Sequence, residues 1–214
     1  MKKRSERASV RELKNETEGV VLIEFALILP LLITLIFGCL ELANYALSHL
    51  RVSQIALTVA DNAGRVQTSI DEVDIYEVFE GARTVGDPID FAANGRLVLS
   101  SLQNNEQTGS DAGQMINWQR CMGQLDVDPA YGEEGDGRNN DDLEDGLGPA
   151  GNKIVAADGT AVMFVEVTYT YQPLINLGFI NNASEIRYES AFNVRERANQ
   201  DITNTQSLTT NDCD

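Results

Sequence analysis

The chain reads as an α+β protein in which one long N-terminal helix, first membrane-spanning and then amphipathic, packs on an antiparallel sheet of about four strands. Three observations predict this. Val20–Leu42 is a run of 23 residues whose only charges are Glu24 and Glu41. Residues 43–66 carry apolar side chains at spacings of three and four. Two later stretches alternate apolar and polar residues in the manner of half-buried strands.

The elements follow in order. Residues 1–19 form a basic leader, with Lys2, Lys3, Arg4, Arg7, Arg11 and Lys14 against four acidic residues. Residues 51–214 hold ten basic and twenty-seven acidic residues, within a formal net charge of -17 for the chain. The positive-inside rule places the leader in the cytoplasm and the body outside. An acidic body lacks the basic face that nucleic acid requires, so it reads as a solvated surface.

Residues 20–42 form the transmembrane helix, about 35 Å long and sufficient to cross the hydrocarbon with some tilt. Pro30 removes one helical hydrogen bond and should kink it. A cleaved secretory signal fits poorly, because the run is long and no A-x-A motif follows it. A lipoprotein signal at Ile36-Phe37-Gly38-Cys39 fits poorly as well, since Phe37 is bulky and Glu24 charged. Glu24 itself needs a reason, because a carboxylate deep in lipid costs about 2.5–3.5 kcal/mol. If a peptidase cuts after Gly19, the new ammonium of Val20 in one subunit can pair with Glu24 of a neighbour. The alternative is that Glu24 snorkels to the cytoplasmic surface.

Residues 43–66 continue the helix as an amphipathic extension. Val52, Ile55, Ala56, Val59, Ala63 and Val66 share one face; Arg51, Gln54, Thr58, Asp61 and Arg65 share the other. Residues 67–214 make the outer α+β domain. Asp71–Ala82 reads as a short helix ending near Gly81. Arg96–Leu102 and Met115–Cys121 read as strands, as do Ala161–Tyr171 and Glu185–Val194. From Met163, Ala161–Tyr171 sets Val165, Val167, Tyr169 and Tyr171 against an outward Glu166, Thr168 and Thr170, and Glu185–Val194 alternates likewise. Pro173, Asn181 and Asn182 suit a hairpin-like connection between the last two.

Residues 128–153 are rich in glycine and acids and read as a long surface loop. Asp141, Asp142 and Asp145 are weak calcium candidates there, because the ligand type suits a hard cation while the EF-hand register fails at Leu143. No cofactor or other metal site is expected. The single histidine, His49, sits at the edge of the apolar run and reads as a polar residue at the water boundary. With one histidine, no G-x-S-x-G and no phosphate loop, an enzyme is not expected. Of three cysteines, Cys39 reads as a small hydrophobe, while Cys121 and Cys213 either pair in an oxidising compartment or remain free thiols.

A basic leader, Gly19 before the apolar run, and Glu24-Phe25 at the fifth and sixth positions after it resemble the processing signature of type IV pilin precursors. The phrase GVVLIEFALILPLL resembles TadE-like pseudopilins of tight-adherence (Tad) pilus systems. In the body, WQRCMGQLDV, GTAVMFVEVTYTYQPL and AFNVRERANQ followed by a late cysteine resemble the outer domain of the same family. The resemblance implies a pilin-like fold and cleavage between Gly19 and Val20 by a prepilin peptidase. It also implies roles for Glu24 and Phe25 in processing or assembly, with other pilins and Tad assembly proteins as partners. The expected place is a bacterial inner membrane, crossed once, with the C-terminal domain periplasmic or carried into a pilus. Because the main Tad pilins are very short, this chain is expected to be a minor pilin or pseudopilin. The competing expectation is an uncleaved membrane-tethered module that binds a cation or a protein.

Overall fold

A computed structural model describes residues 18–175 and 184–213. The leader residues 1–17 lie outside the described residues, as do Asn181 and Asn182 of the expected turn. The chain divides into two compact units, Met1–Asn44 and Tyr45–Asp214.

Helix α1, Glu18–Arg65, runs for 48 residues through Pro30. Within the first unit every residue from Val20 to Leu40 is exposed, and the helix is long and apolar enough to cross a membrane. Pro30 has no N–H for the Ala26 carbonyl, and the Thr34 hydroxyl donates to the Pro30 carbonyl at 2.8 Å.

The second unit starts at Tyr45, so the outer part of α1 is one of the body's own core elements. Val52, Ile55, Ala56, Val59, Ala60 and Ala63 are fully or almost fully buried, as their spacing requires. They pack with Leu97, Leu99, Trp118, Met163, Val165, Val167 and Tyr169. On the opposite face, Arg65 bonds Asp61 across one turn. The helix ends where Arg197 inserts its guanidinium: Nη2 donates to the Ala63 carbonyl at 2.6 Å and Nε to the Val66 carbonyl at 3.1 Å. Those carbonyls have no intrahelical donor, so a buried cation satisfies them and complements the negative end of the helix.

A four-residue strand β1, Thr68–Asp71, leads into helix α2, Glu72–Gly86. Asp71 is the N-cap of α2 and not its first residue: its carboxylate accepts from Val73 N–H, while Asp74 accepts from Asp71 N–H. The helix runs through Gly81 to Gly86, because Ile75, Val78, Phe79, Ala82 and Gly86 keep one buried face. A 3-10 turn, Asp87–Ile89, and the single-turn helix α3, Phe91–Asn94, follow.

Four strands form the main sheet: β2 Gly95–Asn104, β3 Gln114–Met122, β4 Ala161–Thr170 and β5 Glu185–Asn193. Their order is β3-β2-β4-β5 and every pair is antiparallel. A second, unexpected sheet pairs β1 in parallel with β6, Arg197–Thr203.

β4 departs from the half-buried expectation, because Ala161 to Tyr169 is buried on both faces. The second face is covered by the segment read as a plain surface loop, 128–153, together with the residues just after it. Tyr131, Leu143, Leu147, Ile154 and Ala156 pack there against Leu102, Ile116, Val162 and Phe164. The segment is also tied to the sheet edge: Gly135 N–H donates to Ile116 O, and Ile116 N–H to Asp136 O. Asn105 Nδ2 donates to the Gly137 and Asn140 carbonyls. Gly137 and Gly146 have left-handed φ of +73° and +84°, and a Cβ at either would lie within 2.1 Å of a carbonyl oxygen. The glycines therefore let a polar segment lie flat on the sheet.

Candidate functional site

The first candidate region is the start of α1. Gly19 and Val20 both lie in its first turn, and Val20, Glu24 and Phe25 are all exposed. Val20 and Glu24 are four residues apart and so share one helix face. Gly19 has open space around it among the described residues: a Cβ there would meet none of their atoms within 4 Å, and its φ is ordinary. By contrast, a Cβ on Gly95 would strike the Phe91 ring at 2.3 Å. The fold thus uses Gly95 for packing and makes no such use of Gly19. Cys39 is an exposed free thiol in the apolar run. His49 lies in the body, with Nδ1 3.3 Å from the Tyr188 hydroxyl and Tyr45 packed edge-on against its ring.

The second region is the outer edge of β3. Cys121 and Cys213 are joined by a disulfide with Cα atoms 4.9 Å apart. The adjacent Arg120 is 6 % exposed, yet it holds three carboxylates from three parts of the chain. Its Nε and Nη2 meet Glu72 Oε1 at 2.8 and 2.6 Å. Nη1 reaches Glu134 Oε2 at 2.9 Å and Asp212 Oδ1 at 3.6 Å. Burial alone would lower the guanidinium pKa, but the hydrogen bond and charge of Glu72, helped by Glu134 and Asp212, raise it instead. Arg120 thereby fastens α2, the glycine-rich segment and the C-terminal tail to one strand. The tail is further held by Cys121 N–H to Asn211 O at 2.7 Å and by the Tyr76 hydroxyl to Thr209 O at 2.6 Å.

A third group lies on the covered face of the sheet. Glu166 and Glu189 are direct cross-strand partners on β4 and β5. Glu166 Oε2 accepts from Ala130 N–H at 2.8 Å, and the Tyr131 hydroxyl donates to Glu189. Burial, and then the Glu189 charge, push the Glu166 carboxyl up to about 7 against the opposing pull of Ala130 N–H and Arg187. Burial and the bond to Glu189 push Tyr131 up to about 12.

Asp141, Asp142 and Asp145 are exposed and separate in role: Asp142 accepts from Asn140 Nδ2 at 2.7 Å, and the Asp141 carbonyl accepts from Glu144 N–H. Among the described residues, no three acidic, cysteine or histidine side chains converge as a metal site would need. The Arg120 and Glu166 groups carried no local signal in the sequence. Glu72 and Arg120 are 48 positions apart, and Glu166 sat on what read as a solvent-facing side of its strand.

The family model described as TadE-like protein matches residues 19–61. Nothing among curated proteins or solved structures matches the chain.

Proposed function

We propose that this chain, whose residues 19–61 are a TadE-like segment, is a minor pilin or pseudopilin that takes part in assembling a Tad-type pilus. Its role is structural and not catalytic. A prepilin peptidase cuts it between Gly19 and Val20, and the remaining helix anchors it in the bacterial inner membrane, leader inward and body in the periplasm. Other pilins and Tad assembly proteins then meet it through the helix.

Gly19 carries this reading. A helical glycine costs up to about 1 kcal/mol relative to alanine, yet among the described residues nothing occupies the space its missing side chain leaves, as is also true of Gly38 and Gly81. What sets Gly19 apart is its place directly before the apolar run, where the TadE-like match begins and where a peptidase that closes on the backbone would cut. Five residues on, Glu24 sits exposed in an apolar stretch, one turn from Val20. In a membrane bundle, the new ammonium of one subunit and Glu24 of the next neutralise each other and remove the penalty of an isolated charge.

N-terminal sequencing of the mature protein tests cleavage. Val20 at the start supports the proposal. Met1 points to an uncut tethered module, and a lipid on Cys39 to a lipoprotein. Glu24→Ala is expected to insert and fold normally but to lower piliation sharply; normal piliation by that variant refutes the role given to Glu24.

A further inference from the structure

We infer that the end of the body bearing Tyr45 is a lipid-contacting face, seated on the headgroup layer through Tyr45, His49, Tyr171, Tyr188 and Leu174; this rests on reading Val20–Leu42 as the membrane span. Tyr45 follows Leu42 by three residues, about 4.5 Å along a helix axis, so it lies where the chain leaves the hydrocarbon. Its ring packs edge-on against His49 and Tyr171, at 4.6 and 5.0 Å between centroids. His49 in turn meets the ring of Tyr188 edge-on at 5.9 Å. Rings with an apolar body and a polar tip favour this level of a membrane.

The sheet delivers more apolar surface to the same level. β4 starts beside the far end of α1, where Val194 N–H bonds Ala161 O and Arg195 N–H bonds Gly64 O. It ends near Tyr171, whose ring packs on Tyr45, the first residue of the body's part of α1. Leu174, in the β4–β5 connection, is 63 % exposed. From Gln172 to Ser184 the sequence holds no Asp, Glu, Lys or Arg, in an otherwise strongly acidic body. Asp87 and Asp90 flank Ile89, whose carbonyl accepts from the Tyr169 hydroxyl near this end. Those carboxylates favour a zwitterionic surface over an anionic one.

The test uses the full chain in phosphatidylcholine vesicles whose lipids carry bromine near the top of the acyl chains. Leu174→Trp is expected to lose fluorescence on bromination, while native Trp118, buried with its N–H on Gln200 O, is not. Ile33→Trp reports the span independently. Quenching at position 174 and at 33 supports the lipid face. Quenching at 33 alone overturns it and leaves the span standing, and quenching at neither overturns both. Tyr45→Ala with Tyr171→Ala is expected to reduce quenching at 174; no change removes the rings from the proposal. Gln172→Trp serves as a second reporter, read the same way, if Leu174→Trp does not fold.

Discussion

Replacing Glu166 by glutamine should stabilise the protein at alkaline pH and leave its stability unchanged in acid. The carboxyl is 8 % exposed, faces Glu189 across the strand pair and is pushed up to about 7 from an ordinary 4.5. A carboxyl raised in this way holds its proton longer folded than unfolded. Its contribution is therefore most favourable below pH 4.5, declines as pH rises from there to about 7, and is fully lost above. The gap from 4.5 to about 7, at about 1.4 kcal/mol per pH unit, comes to ~3 kcal/mol at pH 8. Glutamine keeps an acceptor for Ala130 N–H and cannot ionise, so Glu166→Gln should recover most of that. For a domain of this size the gain corresponds to roughly 10 °C in Tm. Thermal melts of both proteins in micelles, followed by near-ultraviolet circular dichroism at pH 4, 6 and 8, read it directly. The difference should be near zero at pH 4 and widest at pH 8. A difference that is constant with pH, or that grows toward acid, refutes the reasoning.

Cys213→Ser should lower stability by about 4 kcal/mol on the chain-entropy view, since the bond closes a separation of 92 residues. Chemical denaturation measures the loss, and intact mass before and after reduction checks the bond itself; two free thiols would refute it. Arg197→Met should cost about 2–3 kcal/mol by orphaning the Ala63 and Val66 carbonyls. Hydrogen exchange should then rise first in the last turn of α1, and unchanged exchange there would refute the capping role.

Much of the framework was legible because its signals are local. Val52, Ile55, Ala56, Val59 and Ala63 announce a buried helix face by spacing alone, and they are buried. The four strands of the main sheet show alternation or β-rich composition over seven or more residues, enough to set their positions. The β1–β6 pair was not legible. TSID is four residues long, and RANQDIT is polar because Arg197 serves the helix end, Gln200 Nε2 donates to the Arg197 carbonyl and Asn199 lies toward water. The cover over β4 escaped for a related reason. Tyr131, Leu143, Leu147 and Ile154 are too sparse among acids and glycines to register, although together they close one face of the sheet. Glu24 stood out because an apolar background makes a carboxylate conspicuous, while Gly19 and Phe25 drew notice through the resemblance to pilin precursors. Arg120 and Glu166 read as ordinary polar positions of their strands, and only tertiary structure shows that they are buried.

The Cys121–Cys213 bond has one further consequence. It turns the chain between those residues into a covalent ring that contains β4, β5, β6 and the whole of 128–153. In 128–153 most acidic side chains stand in water, which offers a protease an accessible segment. A single cut there opens the ring and releases nothing. The piece carrying β4, β5 and β6 stays tethered to β3 by the two sulfurs, and Arg120 still reaches Asp212 across the break. The body is thus built to survive a nick in an accessible segment, and only reduction would then let the two halves part.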